Sequence, residues 1–265
     1  MNVVEFGNPG SALTIVVPTA DIHGKWFPRC VESIRRFNTL DVHVVGVESS
    51  GSEFNFSRSV NAGITLASKD VLILNDDTLL GSKTLEALVE ARAANGEGVY
   101  QAYVHCLDGS PHDIGWSYQD GIVPFLKTAA ATLRYAAPGP ARRAALRAIA
   151  MTNIYPFHYH RVPTDGFDGF SFNATLVSGG TLRRLGPLDE IFRLGYDDVD
   201  YSLRCHIHGI PYFGVPRAVV YHAVNGTRAP GDERELQSYQ GLRRKWPRMS
   251  MLKILEMGPT GRLVA

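Results

Sequence analysis

"VLILNDDT", residues 71–78, decides how this chain is read. Its first four residues are aliphatic with no polar alternation, the pattern of a strand buried on both faces of a parallel sheet. The run then breaks into Asn75, Asp76, Asp77 and Thr78, a polar turn carrying two carboxylates. Working outward, "LTIVVPT" (13–19) and "VHVVGVE" (42–48) are runs of the same kind. "FPRCVESIRRF" and "SRSVNAGITLAS" lie between the runs and "SKTLEALVEARAA" follows them, all with apolar residues at helical spacing. Ser82 is the expected N-cap of the third helix. Strand and helix alternating in this way predict an α/β layer with helices on both faces of a mostly parallel sheet. Ligands of such sheets gather at the carboxyl ends of the strands. Those ends read "PTAD", "ESSG" and "NDDT".

A second acidic site lies in "FRLGYDDVDYSLRCHIHG" (192–209). Val199, Leu203 and Ile207 form one apolar stripe and predict a helix. Asp197 then falls at the N-cap and Asp200 at the third helical position, an acidic variant of the capping box. Asp198 has no part in that arrangement. His222 closes "AVVYH" (218–222) at another expected strand end. An aspartate and a histidine, completed by phosphate oxygens and water, suit Mn2+ or Mg2+, with the imidazole favouring Mn2+.

Composition excludes several classes. The 265 residues are 45% hydrophobic and 20% charged with net charge +1, so nothing draws the chain in bulk to nucleic acid or anionic lipid. Cys30, Cys106 and Cys205 are scattered, which favours free thiols in a reducing compartment. No basic and apolar leader opens the sequence and no run of about 18 apolar residues occurs, so no transmembrane segment and a cytoplasmic location are expected. The stretch about 100–172 is irregular. "DGSPHDIGWSYQDG" (108–121) reads as a lid, "ARRAALRAIAM" (141–151) as a short basic helix, and Trp116, Tyr118, Tyr155 and Tyr159 as aromatics able to pack or to stack on sugars. His158 and His160 have the spacing of a zinc pair, but no further ligand pattern accompanies them.

Two blocks carry a family resemblance. "FNFSRSVNAGITLASKDVLILNDDT" (54–78) resembles the segment of family 2 glycosyltransferases that runs from N-F-S through N-x-G to a strand ending N-x-D-T. "VSGGTLRRLGPLDEIFRLGYDDVDYSLRCHIHGIPYFGVPRAVVYH" (177–222) resembles their second signature, in the same order and spacing. Within the family the N-x-D-T and D-D-x-D pattern is similar to rhamnosyl- and galactofuranosyltransferase-like enzymes. The resemblance implies a single GT-A domain over 1–265: a nucleotide-sugar half at about 1–100, an acceptor and catalytic half at about 101–230, and a C-terminal helix at about 231–265. It implies inverting transfer from a nucleotide-sugar donor, UDP first and dTDP second, to a hydroxyl-bearing acceptor. Carried over by position, Asp77 and His222 are the metal ligands and Asp198 the general base. Pro18, Thr19, Asp21, Glu48, Asn61, Asn75 and Asp76 stand on the nucleotide side, with Arg58 a candidate phosphate contact. Asn75 takes a place where many relatives have aspartate.

The chemistry agrees with those parts. A departing nucleoside diphosphate gathers negative charge, which a bound cation offsets. A carboxylate on the opposite side takes the acceptor's proton. The helix N-terminus favours the ionised form of Asp198, a weak base suited to late proton transfer. Two other readings compete: a sugar nucleotidyltransferase, for which "PTADIHGKW" (18–26) is a poor triphosphate loop, and a nucleotide-sugar-binding module without catalysis.

Overall fold

A computed structural model describes residues 1–118, 157–223, 232–257 and 261–265. The expected basic helix with Arg142, Arg143 and Arg147, the residue Tyr155 and the side chain of His158 lie outside the described residues.

The apolar runs become strands where expected: β2 is Leu13–Thr19, β3 His43–Glu48 and β4 Asp70–Leu74, side by side in parallel. β1, Asn2–Gly7, was not expected and adds antiparallel to β3. The sheet continues through β10 (Ala174–Val177), β6 (Val99–Cys106), β11 (Tyr212–His222) and β12 (Arg262–Leu263). β10 runs antiparallel to both neighbours, whereas β6, β11 and β12 are parallel to one another. Two short strands attach at the edge: β5 (Thr78–Leu80) on β11 and β7 (Pro111–Asp113) on β6. A separate hairpin pairs β8 (Trp116–Tyr118) with β9 (Phe157–Tyr159).

Helices cover both faces, so the central strands bury alternate residues on opposite sides. Ile15, Val17, Leu72 and Leu74 pack with Ile34 of α1 (Phe27–Phe37) and Leu85 and Leu88 of α3 (Thr84–Asn95). Val16, Val71 and Ile73 pack with Val60 of α2 (Phe56–Ile64) and with Tyr201 and Cys205 of α5 (Asp197–Ile207). α4 is Gly179–Leu185, α6 Glu233–Lys245 and α7 Arg248–Met257. Gly63 lets α2 lie against β2, because a Cβ there would collide with the Val16 side chain. No helix among the described residues is long and apolar enough to cross a membrane.

Three local expectations are corrected. α3 starts at Thr84 after a left-handed Lys83, not from a Ser82 cap. α5 follows Tyr196 at φ 65° with no side-chain cap, so Asp197 and Asp200 form no capping box. The last segment is two helices and a return strand, not one helix.

Candidate active site

The pairing of β5 on β11 builds the centre. It sets His222 opposite Thr78, and the Ala223 amide donates to the Asp77 carbonyl at 2.9 Å. The Asp77 Oδ1 and His222 Nε2 atoms consequently meet at 3.1 Å, with side-chain exposures of 6% and 12%. The His222 Nδ1 atom is buried with no hydrogen-bond partner. Asp76 turns toward β2, where it accepts a 2.6 Å hydrogen bond from Thr19 Oγ1. Burial pushes the Asp76 carboxyl up to about 6, and the neighbouring Asp77 charge adds to that, against the Thr19 hydrogen bond. The Cys30 thiol is raised well above its ordinary value, by burial first and then by the Asp76 and Asp77 charges. Two carboxylates thus sit side by side in a turn that is largely closed to water.

The other strand ends close around it. Thr19 Oγ1 also accepts from the Asp21 amide at 3.1 Å, and Asp21 Oδ1 accepts from the His23 amide at 2.9 Å. Glu48 Oε1 accepts from the Ile22 amide at 3.2 Å, drawing the loops after β2 and β3 together. Pro18 lies buried in β2, opposite Val47.

A buried network that the sequence reading missed holds Asn75, the first residue of the turn. Asn75 Nδ2 donates to Asn173 Oδ1 at 2.9 Å, and Asn173 Nδ2 to Asp113 Oδ2 at 3.2 Å. Asp113, fully buried, also accepts from Gln101 Nε2 at 2.6 Å and Ser171 Oγ at 2.8 Å, and pairs with His112 Nδ1 at 2.7 Å. The His112 ring stands edge-on to that of His222, with centroids 5.6 Å apart. A buried carboxylate with this many partners fixes the groups that hold it. Its sequence signal was the His-Asp pair in "SPHDIG" (110–115), whose partners lie far along the chain.

The three acids of α5 part company. Asp197 and Asp200 are buried, whereas Asp198 keeps partial exposure. Asp198 Oδ1 accepts from the Val199 amide at 2.8 Å, and its carbonyl from Ser202 Oγ at 2.8 Å. Ser202 Oγ also accepts from the Phe170 amide at 3.3 Å. One short stretch, 170–173, thus touches Asn75 at one end and the first turns of α5 at the other. Asp200 pairs with Lys245 Nζ at 2.8 Å and Arg204 Nε at 3.2 Å, and accepts from Trp246 Nε1 at 2.8 Å.

Other candidates sit apart. Asn61 exchanges hydrogen bonds with Leu188: its Oδ1 takes the Leu188 amide at 2.8 Å and its Nδ2 donates to the Leu188 carbonyl at 2.9 Å. Arg58 pairs with Glu190 at 3.1 Å. His160 bonds to the Ser117 and Thr164 hydroxyls at 2.7 and 3.1 Å, and among the described residues no group of three or more histidine, cysteine or acidic side chains could hold a metal ion. Trp116 is fully buried and donates to the Phe170 carbonyl at 2.8 Å, so it is a core residue and not a lid aromatic.

A cation fits the Asp77–His222 pair. One carboxylate oxygen and one imidazole nitrogen lie together beside a second carboxylate, that of Asp76, and a hard cation of this kind needs only one or two protein ligands when phosphate and water supply the rest.

No protein-family model and no curated protein sequence matches the chain. Solved structures match its shape. The crystal structure of GalNAc-T7 with UDP, GalNAc and Mn2+ aligns over 90% of this chain at TM-score 0.58 and 10% identity. The fold is GT-A. The mannosyltransferase PcManGT from Pyrobaculum calidifontis, in complex with GDP-Man and Mn2+, aligns over 95% of the chain at TM-score 0.50 and 14% identity, covering 70% of that protein. The chain spans 48% of the GalNAc-T7 chain. At such identities the GT-A likeness speaks for architecture alone.

Proposed function

We propose that this chain is a metal-dependent, inverting glycosyltransferase of the family 2 kind. It moves a sugar from a nucleoside-diphosphate donor, UDP before dTDP, to a hydroxyl-bearing acceptor. The observation that carries this reading is the Asp77–His222 contact at the carboxyl edge of a GT-A sheet. The Mn2+ held with UDP and GalNAc by GalNAc-T7, and with GDP-Man by PcManGT, supports it.

Each residue has a task in this reading. Asp77 and His222 hold Mn2+ or Mg2+, which when bound offsets the charge gathering on the departing diphosphate. Asn75, anchored through Asn173, and Asp76, anchored by Thr19, shape the turn that presents Asp77. Pro18, Thr19, Asp21 and Glu48 form the nucleotide edge, where Glu48 fixes the loop after β2. Asn61 serves that side indirectly, by pinning the 188–190 loop to α2. Asp198 takes the acceptor proton late in attack, when a weak base suffices. Metal-dependent UDP binding tests the reading by calorimetry. Affinity should rise at least about 10-fold when Mn2+ replaces EDTA, because cation and diphosphate share ligands. Equal affinity in both conditions would reject the metal centre.

A further inference from the structure

α6 lies outside the centre just described, yet it touches both sides of it. Its 13 residues reach about 20 Å at the α-helical rise. Near its first turn, Arg234 Nη1 donates to the Gly51 carbonyl at 3.1 Å, and its guanidinium lies 5.2 Å from the centroid of the Phe54 ring. Gly51 belongs to the loop that follows Glu48. Arg193 reinforces the same loop through the Ser52 and Phe54 carbonyls while its Nη1 donates to Gln237 of α6 at 3.4 Å. Midway, the buried Ser238 hydroxyl accepts from the Leu194 amide at 3.1 Å, and the Tyr239 and Tyr196 rings lie 5.4 Å apart. At its last residue, Lys245 Nζ bridges Asp189 Oδ2 at 2.6 Å and Asp200 Oδ1 at 2.8 Å, beside the Trp246 hydrogen bond to the same oxygen.

The turn it grips needs a grip. Gly195 and Tyr196 are both left-handed, a conformation costly for tyrosine, and the helix that follows has no side-chain cap. The first turn of α5, where Asp198 sits, therefore starts from a strained residue. Buried Asp200, two residues on, is the handle by which α6 fixes it.

We propose that α6 is a strut between the donor loop and the base-bearing turn, with Lys245 the positioning residue for Asp198 and Arg234 the positioning residue for loop 49–54. The roles of the two ends rest on the glycosyltransferase reading; the mechanical connection does not. A strut of this kind makes separable defects at its two ends. A general stabilising helix would make one shared defect.

Hydrogen exchange and steady-state kinetics on Lys245→Met, Lys245→Arg and Arg234→Met test this, using UDP-sugar with Mn2+ as the probe. Lys245→Met should speed amide exchange at 196–201 by about 5-fold or more while leaving 49–54 unchanged. It should cut kcat by about 10-fold or more with KM for donor within about 3-fold, the pattern of a misplaced group that acts only in the transition state. Lys245→Arg should restore both. Arg234→Met should do the reverse, loosening 49–54 and raising KM with kcat nearly unchanged. If Lys245→Met does not fold, Lys245→Gln takes its place in the comparison. Unchanged exchange at 196–201 in the Lys245 variant, or equal loosening of both segments in either variant, would overturn the strut. If the wild-type protein turns over no nucleotide-sugar, the functional reading fails, and the exchange pattern still decides the strut.

Discussion

His222 closes β11 directly opposite Thr78, and that register alone delivers its Nε2 atom to within 3.1 Å of the Asp77 carboxylate. The two side chains are brought together by sheet pairing, so a substitution at either one removes the contact without unmaking the strands. His222→Ala and Asp77→Asn should each lower Mn2+-dependent UDP affinity by about 10-fold or more while leaving metal-free UDP binding unchanged. Calorimetry with and without EDTA reads both quantities. Loss of the metal-free component as well would mean that these residues hold the nucleotide itself.

Asp76 makes a prediction about pH. Its carboxyl is raised from 3.8 to about 6, mainly by burial, so in the metal-free fold the charged form is the costly one. A raised carboxyl contributes stability that is present below about pH 4 and is lost as pH climbs through 6. Asp76→Asn should therefore stabilise the metal-free protein at pH 8, by about 1–3 kcal/mol for a shift of this size, and change little at pH 3.5. Urea midpoints in EDTA at the two pH values check this. A destabilised variant at pH 8 would show that the charged form is favourably held.

The helix acids divide by environment. Asp198→Asn keeps the shape of the side chain and removes its basicity, so turnover should fall about 10²–10⁴-fold with donor affinity within a few-fold. Asp200→Asn instead weakens a buried ion pair. It should lower the unfolding free energy by more than the roughly 0.5–2 kcal/mol of a lost cap. Paired kinetics and denaturation on both variants settle the assignment. The reverse ranking would make Asp200 the base.

What the sequence showed, and what it hid, follows from the range of each interaction. β2, β3 and β4 were legible because their apolar runs are continuous, and α1 to α3 because their spacing is helical. β1 was hidden: it is a short edge strand with mostly exposed side chains. β12, of two residues, is too short to read from sequence and is placed by its pairing with β11 and by the 165–167 stretch. Asp200 matched a local capping template because nothing in its neighbourhood announces Lys245 or Trp246. Asp113 and His112 were absorbed into an expected lid, since Gln101, Ser171 and Asn173 converge on them only in the folded chain. Asp77, Asp198 and His222 stood out because each is a chemistry-bearing residue at the end of an expected element.

The segment expected to be a lid yields a different expectation in the structure. The Ile114 amide donates to the His160 carbonyl at 2.9 Å, the Trp116 amide to the Gly169 carbonyl at 2.9 Å and the Tyr118 amide to Asp168 Oδ2 at 2.9 Å. These three amides should exchange slowly without any ligand and change little when UDP and Mn2+ bind. Rapid exchange there, slowed by donor, would restore the lid.

Metal-dependent, single-displacement transfer from a nucleotide-sugar, as proposed, leaves its mark on the stereochemistry of the first product. The protein is incubated with a panel of UDP- and dTDP-sugars and Mn2+, with water as the acceptor, and proton NMR follows the released sugar before its anomers equilibrate. The account predicts release of the nucleoside diphosphate only with metal present, and a first-formed anomer inverted relative to the donor. A retained anomer, or undiminished release in EDTA, would contradict it.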